Sequence, residues 1–230
     1  MRIIADDSRI QKRARIGERA PFIGFIVIIA ATALLISRRP EWLWLSTILV
    51  SIGFIITLIG GYLGERYVGA LAHYKKVPEA LKGLDNQYTL LMYKTPLPFV
   101  LIGPESVTVI TVKSHGGNIS YHKGKWHHHE KFGLWRRMAG QESLGQAHKM
   151  AEAEAEEMQY YLKKRLPLNV EVPVRPSLLF IHPNVTLDAT ESPVPALRIP
   201  QMRRWIRKEE QPKLSADTRT QLFEALGLEE

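Results

Sequence analysis

The sequence predicts an α/β protein in which an N-terminal transmembrane helical hairpin precedes a mixed sheet flanked by helices. Three observations carry that expectation. Two long uncharged runs stand near the N-terminus, at residues 20–37 and 42–64. Short segments rich in Val, Ile and Leu, bounded by Gly and Pro, follow between residues 88 and 121 and again at residues 177–182. Between these groups, residues 141–166 repeat apolar side chains at helical spacing. Strands interrupted by helices are the pattern of an α/β layer.

Composition narrows the chemistry. The chain has 230 residues, of which 45% are hydrophobic, enough to bury a core. Lys and Arg number 31 against 23 Asp and Glu, a net charge of +8. That balance suits an anionic partner, a nucleic acid or a membrane face, and says nothing of fold. With no cysteine, a thiol nucleophile, disulfide staples and any Cys-ligated zinc or iron–sulfur centre are excluded.

The two apolar runs make helices of roughly 27 and 34 Å, matched to a hydrocarbon core of about 30 Å. Their joint, Arg38-Arg39-Pro40-Glu41, fits only a tight turn, so the chain should cross a membrane twice. Ahead of the first run lie Arg2, Arg9, Lys12, Arg13, Arg15 and Arg19, and after the second come Arg66, Lys75, Lys76 and Lys82. The loop holds only Arg38 and Arg39. This asymmetry places both termini on the cytoplasmic side of a bacterial-type plasma membrane. Trp42 and Trp44 suit the loop-side interface and Tyr62 the other. A secretory signal would need a small-x-small cleavage site, which Ser37-Arg38-Arg39-Pro40 does not offer. Neither run holds an ionisable residue, which disfavours a transport path and leaves an anchor. Gly24, Gly53, Gly60 and Gly61 permit close helix contact, but no pair stands at four-residue spacing. The expected organisation is a basic segment 1–20, a hairpin 21–64 and a cytoplasmic domain 65–230.

Within that domain, residues 65–81 carry a helical stripe of Val68, Leu71, Tyr74, Val77 and Leu81. Residues 88–94, 98–103, 106–113 and 118–121 read as strands, with Gly103-Pro104-Glu105 and Gly116-Gly117 as turns. The helix 141–166 aligns Leu144, Ala147, Ala151, Ala155, Met158, Leu162 and Leu166 on one face, with Glu152, Glu154, Glu156 and Glu157 taken as exposed. Residues 177–182 read as a buried strand. Residues 201–208 and 215–226 read as short helices, the latter capped by Ser215 and Gly227.

Several motifs in this order resemble the nuclease-related domain family, NERD. They are Gly64-Glu65 opening a helix, Leu101-Ile102-Gly103-Pro104 with Val107, Val109, Ile110 and Lys113, then Gly116-Gly117-x-Ile119. Trp126, Gln146 at a helix start and Pro173-Val174-x-Pro176-x-Leu178-Leu179-Phe180-x-x-Pro183 complete the set, covering residues 64–226. The resemblance implies a restriction-endonuclease-like fold. In that superfamily an Asp begins one strand of a hairpin and a Glu-x-Lys lies on the next. The carboxylates hold a divalent metal and the Lys positions water. Positions i and i+2 of a strand share a face, so Glu and Lys meet the metal together.

This chain departs from that pattern where it matters. Pro98 stands where the Asp is expected and Thr111 where the Glu is expected; Lys113 remains, with Glu65 as a further acidic group. Both are read as vestiges of a catalytic site, Lys113 as a solvated strand-end lysine if it has no role. No metal or other cofactor is expected, Mg²⁺ or Mn²⁺ entering only if a carboxylate has migrated, from Glu65, Asp85 or Glu105.

Residues 113–137 hold Lys113, Lys123, Lys125, Lys131, Arg136 and Arg137 against Glu130 alone, with Trp126, Phe132 and Trp135 interleaved. Lys123, Lys125, Trp126, Lys131, Arg136 and Arg137 form a candidate surface for nucleic acid or anionic lipid head groups. His127-His128-His129 is read as part of a wet basic loop, since neighbours on a strand point to opposite faces and cannot share one ion. The resulting expectation is a membrane-anchored, catalytically degenerate binding or assembly module. Its alternatives are an active nuclease and an accessory subunit that meets other membrane-protein subunits.

Overall fold

A computed structural model describes residues 1–36, 42–129, 144–208 and 212–228. The chain divides into two units. The helical unit contains α1 (Asp7–Ile36) and α2 (Leu43–Tyr67). Both are long and apolar enough to cross a membrane. The intervening turn at residues 37–41 lies outside the described residues.

What joins these helices is a row of small residues at seven-residue spacing. On α1 the buried row is Ile10, Gly17, Gly24 and Ala31. On α2 it is Ser46, Gly53, Gly60 and Tyr67. A seven-residue period keeps one seam turned toward the partner along a left-handed pair. Contact is backbone to backbone. A Cβ added at Gly17 would lie 2.8 Å from Gly64 N, one at Gly53 2.8 Å from Gly24 O, and one at Gly60 2.7 Å from Pro21 N. At one end of the seam Arg13 donates to the Tyr67 hydroxyl at 2.6 Å. The buried glycines therefore recur at a heptad spacing, and Gly60 and Gly64 also stand four residues apart, a pair the sequence reading passed over.

The expected single helix over residues 65–81 is two pieces. α2 absorbs Glu65 and ends at Tyr67, Gly69 adopts φ +82°, and α3 covers His73–Ala80. Only glycine takes that backbone without strain, so the helix stops there.

The second unit is a mixed sheet flanked by helices. Its strands are β1 (Arg2–Ala5), β2 (Thr89–Met92), β3 (Phe99–Ile102), β4 (Val107–Lys113), β5 (Gly117–His122), β6 (Lys125–His129), β7 (Val174–Phe180), β8 (Val185–Asp188) and β9 (Ala196–Arg198). Its remaining helices are α4 (Ala147–Lys163), α5 (Ile199–Arg207) and α6 (Ala216–Ala225). The larger sheet has the order β1-β2-β3-β4-β7-β9, and β3 alone runs against the other five. A smaller sheet, β6-β5-β8, begins just beyond the end of β4.

The strand β1 has no counterpart in the expected organisation. Four residues from the far side of the helical hairpin lie parallel to β2, Arg2 opposite Thr89 and Ala5 opposite Met92. The Asp6 N–H continues the ladder to Met92 O at 3.0 Å. The chain leaves this unit after Asp6 and rejoins it at His73, whose ring bonds Ser114 just past the end of β4. Both points lie at the carboxyl end of the parallel strands.

β4 is buried along all seven residues and forms the centre of the unit. Its odd-numbered side chains share one face, because strand side chains alternate. Val107 and Val109 join Met158 and Leu162 of α4 and Leu222 and Phe223 of α6 in one core cluster. A second cluster joins Ile119 and Val185 of the small sheet to Leu178, Phe180, Ala147 and Ala151. On the other face, Arg175, paired with Thr108, lies over the Trp205 ring of α5 at 4.3 Å. The Ser215 hydroxyl accepts from Thr218 N at 3.0 Å and Gly227 takes φ +67°, which caps α6 as the sequence predicts.

Candidate functional site

The candidate site lies at the carboxyl end of β4, where the resemblance places its catalytic residues. Thr111 and Lys113 sit two residues apart on the odd face, in line with Val107 and Val109. α4 runs antiparallel over this face. Its row at four-residue spacing, Met150, Glu154, Met158 and Leu162, rises about 6 Å per step. The strand's alternate residues advance by nearly the same amount. The two rows therefore match. Met158 and Leu162 meet the valines, Glu154 accepts a short hydrogen bond from the Thr111 hydroxyl, and Met150 Sδ lies 3.4 Å from Lys113 Nζ.

Lys113 is 2% exposed, and across the ladder it is paired with the fully buried Phe180. It is no solvated strand-end lysine. An ammonium group so placed pays a large desolvation cost unless it is partnered, and the side chain does engage further interactions. Thr111 is also buried. The β3–β4 ladder ends where Val100 pairs with Val109; Pro98 precedes β3, and Thr111 lies two residues further along β4. The place of the expected Asp thus offers only a prolyl carbonyl, and that carbonyl already accepts from Tyr93 N at 2.8 Å.

Of the three carboxylates suggested for a migrated ligand, Asp85 and Glu105 lie elsewhere in the sheet unit. Glu65 belongs to α2 in the helical unit. Asp85 precedes β2, exposed, with its side chain accepting from Gln87 N at 3.0 Å. Glu105 precedes β4, at the end opposite Lys113 and about 20 Å from it along the strand. A carboxylate that does reach the site is Glu154, which the sequence reading put on the exposed face of its helix. It is half-buried. The sequence signal was available: position 154 is in phase with Met150, Met158 and Leu162, which places a charge on the flank of the buried stripe.

Beyond Lys113 the chain is dense in histidine. His73 Nε2 and Ser114 Oγ are 2.8 Å apart, both side chains buried. His115 and His128 stack edge to face with centroids 5.3 Å apart, and His128 Nε2 is 2.7 Å from Gly116 O. The His182 ring lies where a Cβ on Gly116 would be, 2.6 Å away, which is why residue 116 is glycine. Among the described residues no group of three or more His, Asp or Glu is arranged to hold a metal ion. Around Thr111 the described donors are the Glu154 carboxylate, the Thr111 hydroxyl and the Lys113 amine.

The basic segment is a β-hairpin, not a loop. β5 and β6 pair antiparallel around Lys123-Gly124, whose φ values of +52° and +77° fit a two-residue primed turn. Lys123 and Lys125 are exposed. Trp126 is not part of that surface. Its indole N–H donates to His148 Nδ1 at 3.2 Å, and its ring packs against Tyr121 and Phe180. It serves the core because the alternation of β6 turns it inward. The same alternation leaves His127 and His129 exposed while His128 is half-buried, so the three do not converge. Lys131, Arg136 and Arg137 lie outside the described residues.

No protein-family model, curated protein or solved structure matches the chain.

Proposed function

We propose that this is a two-pass protein of a bacterial-type plasma membrane, with both termini cytoplasmic. It carries a NERD-like, restriction-endonuclease-like domain that binds or assembles instead of cutting. The observation that supports the silent site is the sealing of Lys113. An ammonium beneath a methionine, paired across the ladder with a buried phenylalanine, has no open side from which a phosphodiester and its attacking water approach. The pairing of β1 with β2 supports the common side of the two termini, because a parallel ladder brings the chain ahead of the hairpin and the chain behind it together. Lys123 and Lys125 at the exposed turn supply a contact for nucleic acid or anionic head groups. Other membrane-protein subunits are the partners an accessory subunit would meet. The purified full-length chain, given Mg²⁺ or Mn²⁺ with single- and double-stranded DNA, should leave both intact. Cleavage that disappears in Lys113→Ala would overturn the reading.

One observation favours a second reading. Glu154 restores a carboxylate beside Thr111, the place of the missing Glu, and a nuclease built on it would use Glu154 with Lys113. That reading requires cleavage abolished by Glu154→Gln, at a metal concentration where the unmodified chain cuts.

A further inference from the structure

From the outer face of α1 we infer a binding site for an anionic phospholipid of the leaflet on the side of the termini. This inference rests on the spanning reading of the hairpin. Two rows on α1, again at seven-residue spacing, run Lys12-Arg19-Ile26 and Arg15-Phe22-Ile29. At 100° per residue they stand about 160° to either side of the Gly17-Gly24-Ala31 row that faces α2, so they face away from the partner helix. All six side chains are exposed, Phe22, Ile26 and Ile29 by 72%, 64% and 53%. Each row is cationic in its first part and apolar in its second, and the change occurs within one helical turn, about 5 Å.

Arg13 shows the contrast. It lies toward α2, bonded to the Tyr67 hydroxyl with its guanidinium near that ring, and is used in holding the hairpin together. Lys12, Arg15 and Arg19 have no such employment: among the described residues no ion pair engages them. Glu18, exposed on the adjoining row, is the acidic neighbour they must outweigh.

A ligand that covers both parts of these rows needs a negative group joined directly to a long apolar body. Nucleic acid lacks the second and a soluble phosphate lacks it too. An anionic phospholipid has both. Its acyl chains lie along Phe22, Ile26 and Ile29 while Arg15, Arg19 and Lys12 reach its phosphate, their alkyl stems lying along the helix as long basic side chains do at an interface.

The test uses the full-length chain in mild non-ionic detergent, titrated with dioleoyl phosphatidylglycerol or dioleoyl phosphatidylcholine and read by native mass spectrometry. Phosphatidylglycerol adducts should form at far lower lipid concentration than phosphatidylcholine adducts. The combined Lys12→Gln, Arg15→Gln, Arg19→Gln variant should weaken the anionic lipid about a hundredfold, at roughly fivefold per cation, and leave the zwitterionic one unchanged. Equal retention of the two lipids by the unmodified chain, or a preference kept by the variant, overturns the proposal. Displacement of the adduct by excess sn-glycerol 3-phosphate also overturns it, in favour of a soluble phosphate. Lys123→Gln with Lys125→Gln should keep the preference, which separates this face from the sheet hairpin; loss there counts against α1. Carbonate extraction of membranes reports on the spanning reading by itself. A chain released by carbonate sinks both readings, whereas a retained chain without lipid preference sinks only this one.

Discussion

Thr111 and Glu154 carry the physical logic of the site in one bond. The hydroxyl is buried, and its hydrogen goes to a carboxylate delivered by the helix above it. Removing the acceptor strands a buried donor, at about 1–3 kcal/mol. Glu154→Ala should therefore lower stability by that amount in thermal unfolding of the detergent-solubilised chain, while Glu154→Gln, which keeps an acceptor oxygen, should lose well under half as much. Equal losses would mean that the bond does not stabilise the fold. Lys113→Met is the complementary case: a similar volume without the charge leaves the partners of a buried, engaged ammonium behind, so it should lower the melting temperature, and an unchanged melt would show that those interactions add nothing. At this scale the sequence was partly legible. Strand alternation puts Thr111 and Lys113 on one face of β4, as the sequence reading expects. Glu154 was not legible, because its four-residue phase with Met150 and Met158 was weighed as composition, an acidic run, and not as position. His73 and Ser114 were out of reach, being 41 residues apart with no local signal of contact.

Elements were legible where one period dominates. α4 shows its apolar face in the sequence, and the strands β2 to β5 sit between turn residues that announce them. The hairpin glycines were seen as permitting close contact, but their seven-residue recurrence was not. Where two backbones touch, side-chain volume decides the outcome. Gly53→Ala should destabilise the pair by about 1–3 kcal/mol, because the new methyl group meets Gly24 O at 2.8 Å and overpacks a fixed seam. Gly64→Ala should be tolerated, since its nearest neighbour would be Gly17 O at 3.5 Å. Thermal unfolding of both variants in one detergent separates them, and a tolerated Gly53→Ala would contradict the close seam. β6, β8 and β9 escaped the sequence reading because they are short and half-exposed. β1 escaped it because nothing in Arg-Ile-Ile-Ala distinguishes an edge strand from a frayed terminus.

At the scale of the molecule, β1 matters beyond its four residues. It covers one edge of β2, which would otherwise present unpaired N–H and C=O groups. Deleting residues 2–5 should lower the melting temperature and promote self-association, visible by light scattering of the detergent-solubilised chain. An unchanged melt would show that the strand adds nothing. The chain contains no cysteine, so single substitutions report on sidedness without interference. Ser8→Cys and Ser215→Cys in sealed vesicles should both react with an impermeant maleimide from one side, and Trp42→Cys from the other. Labelling of Ser8→Cys and Ser215→Cys from opposite sides would break the proposed topology.

That first strand also sets an order of events during synthesis. Its residues are made before the segment they must join, beginning at Thr89, which follows some 87 residues later, on the order of ten seconds at ordinary translation rates. The nascent chain must hold these four residues in reserve until both long helices and the start of the sheet have been made. If the hairpin spans a membrane as proposed, a closed sheet records that the chain has turned back to its starting side, and a protein threaded otherwise would show proteases a missing border.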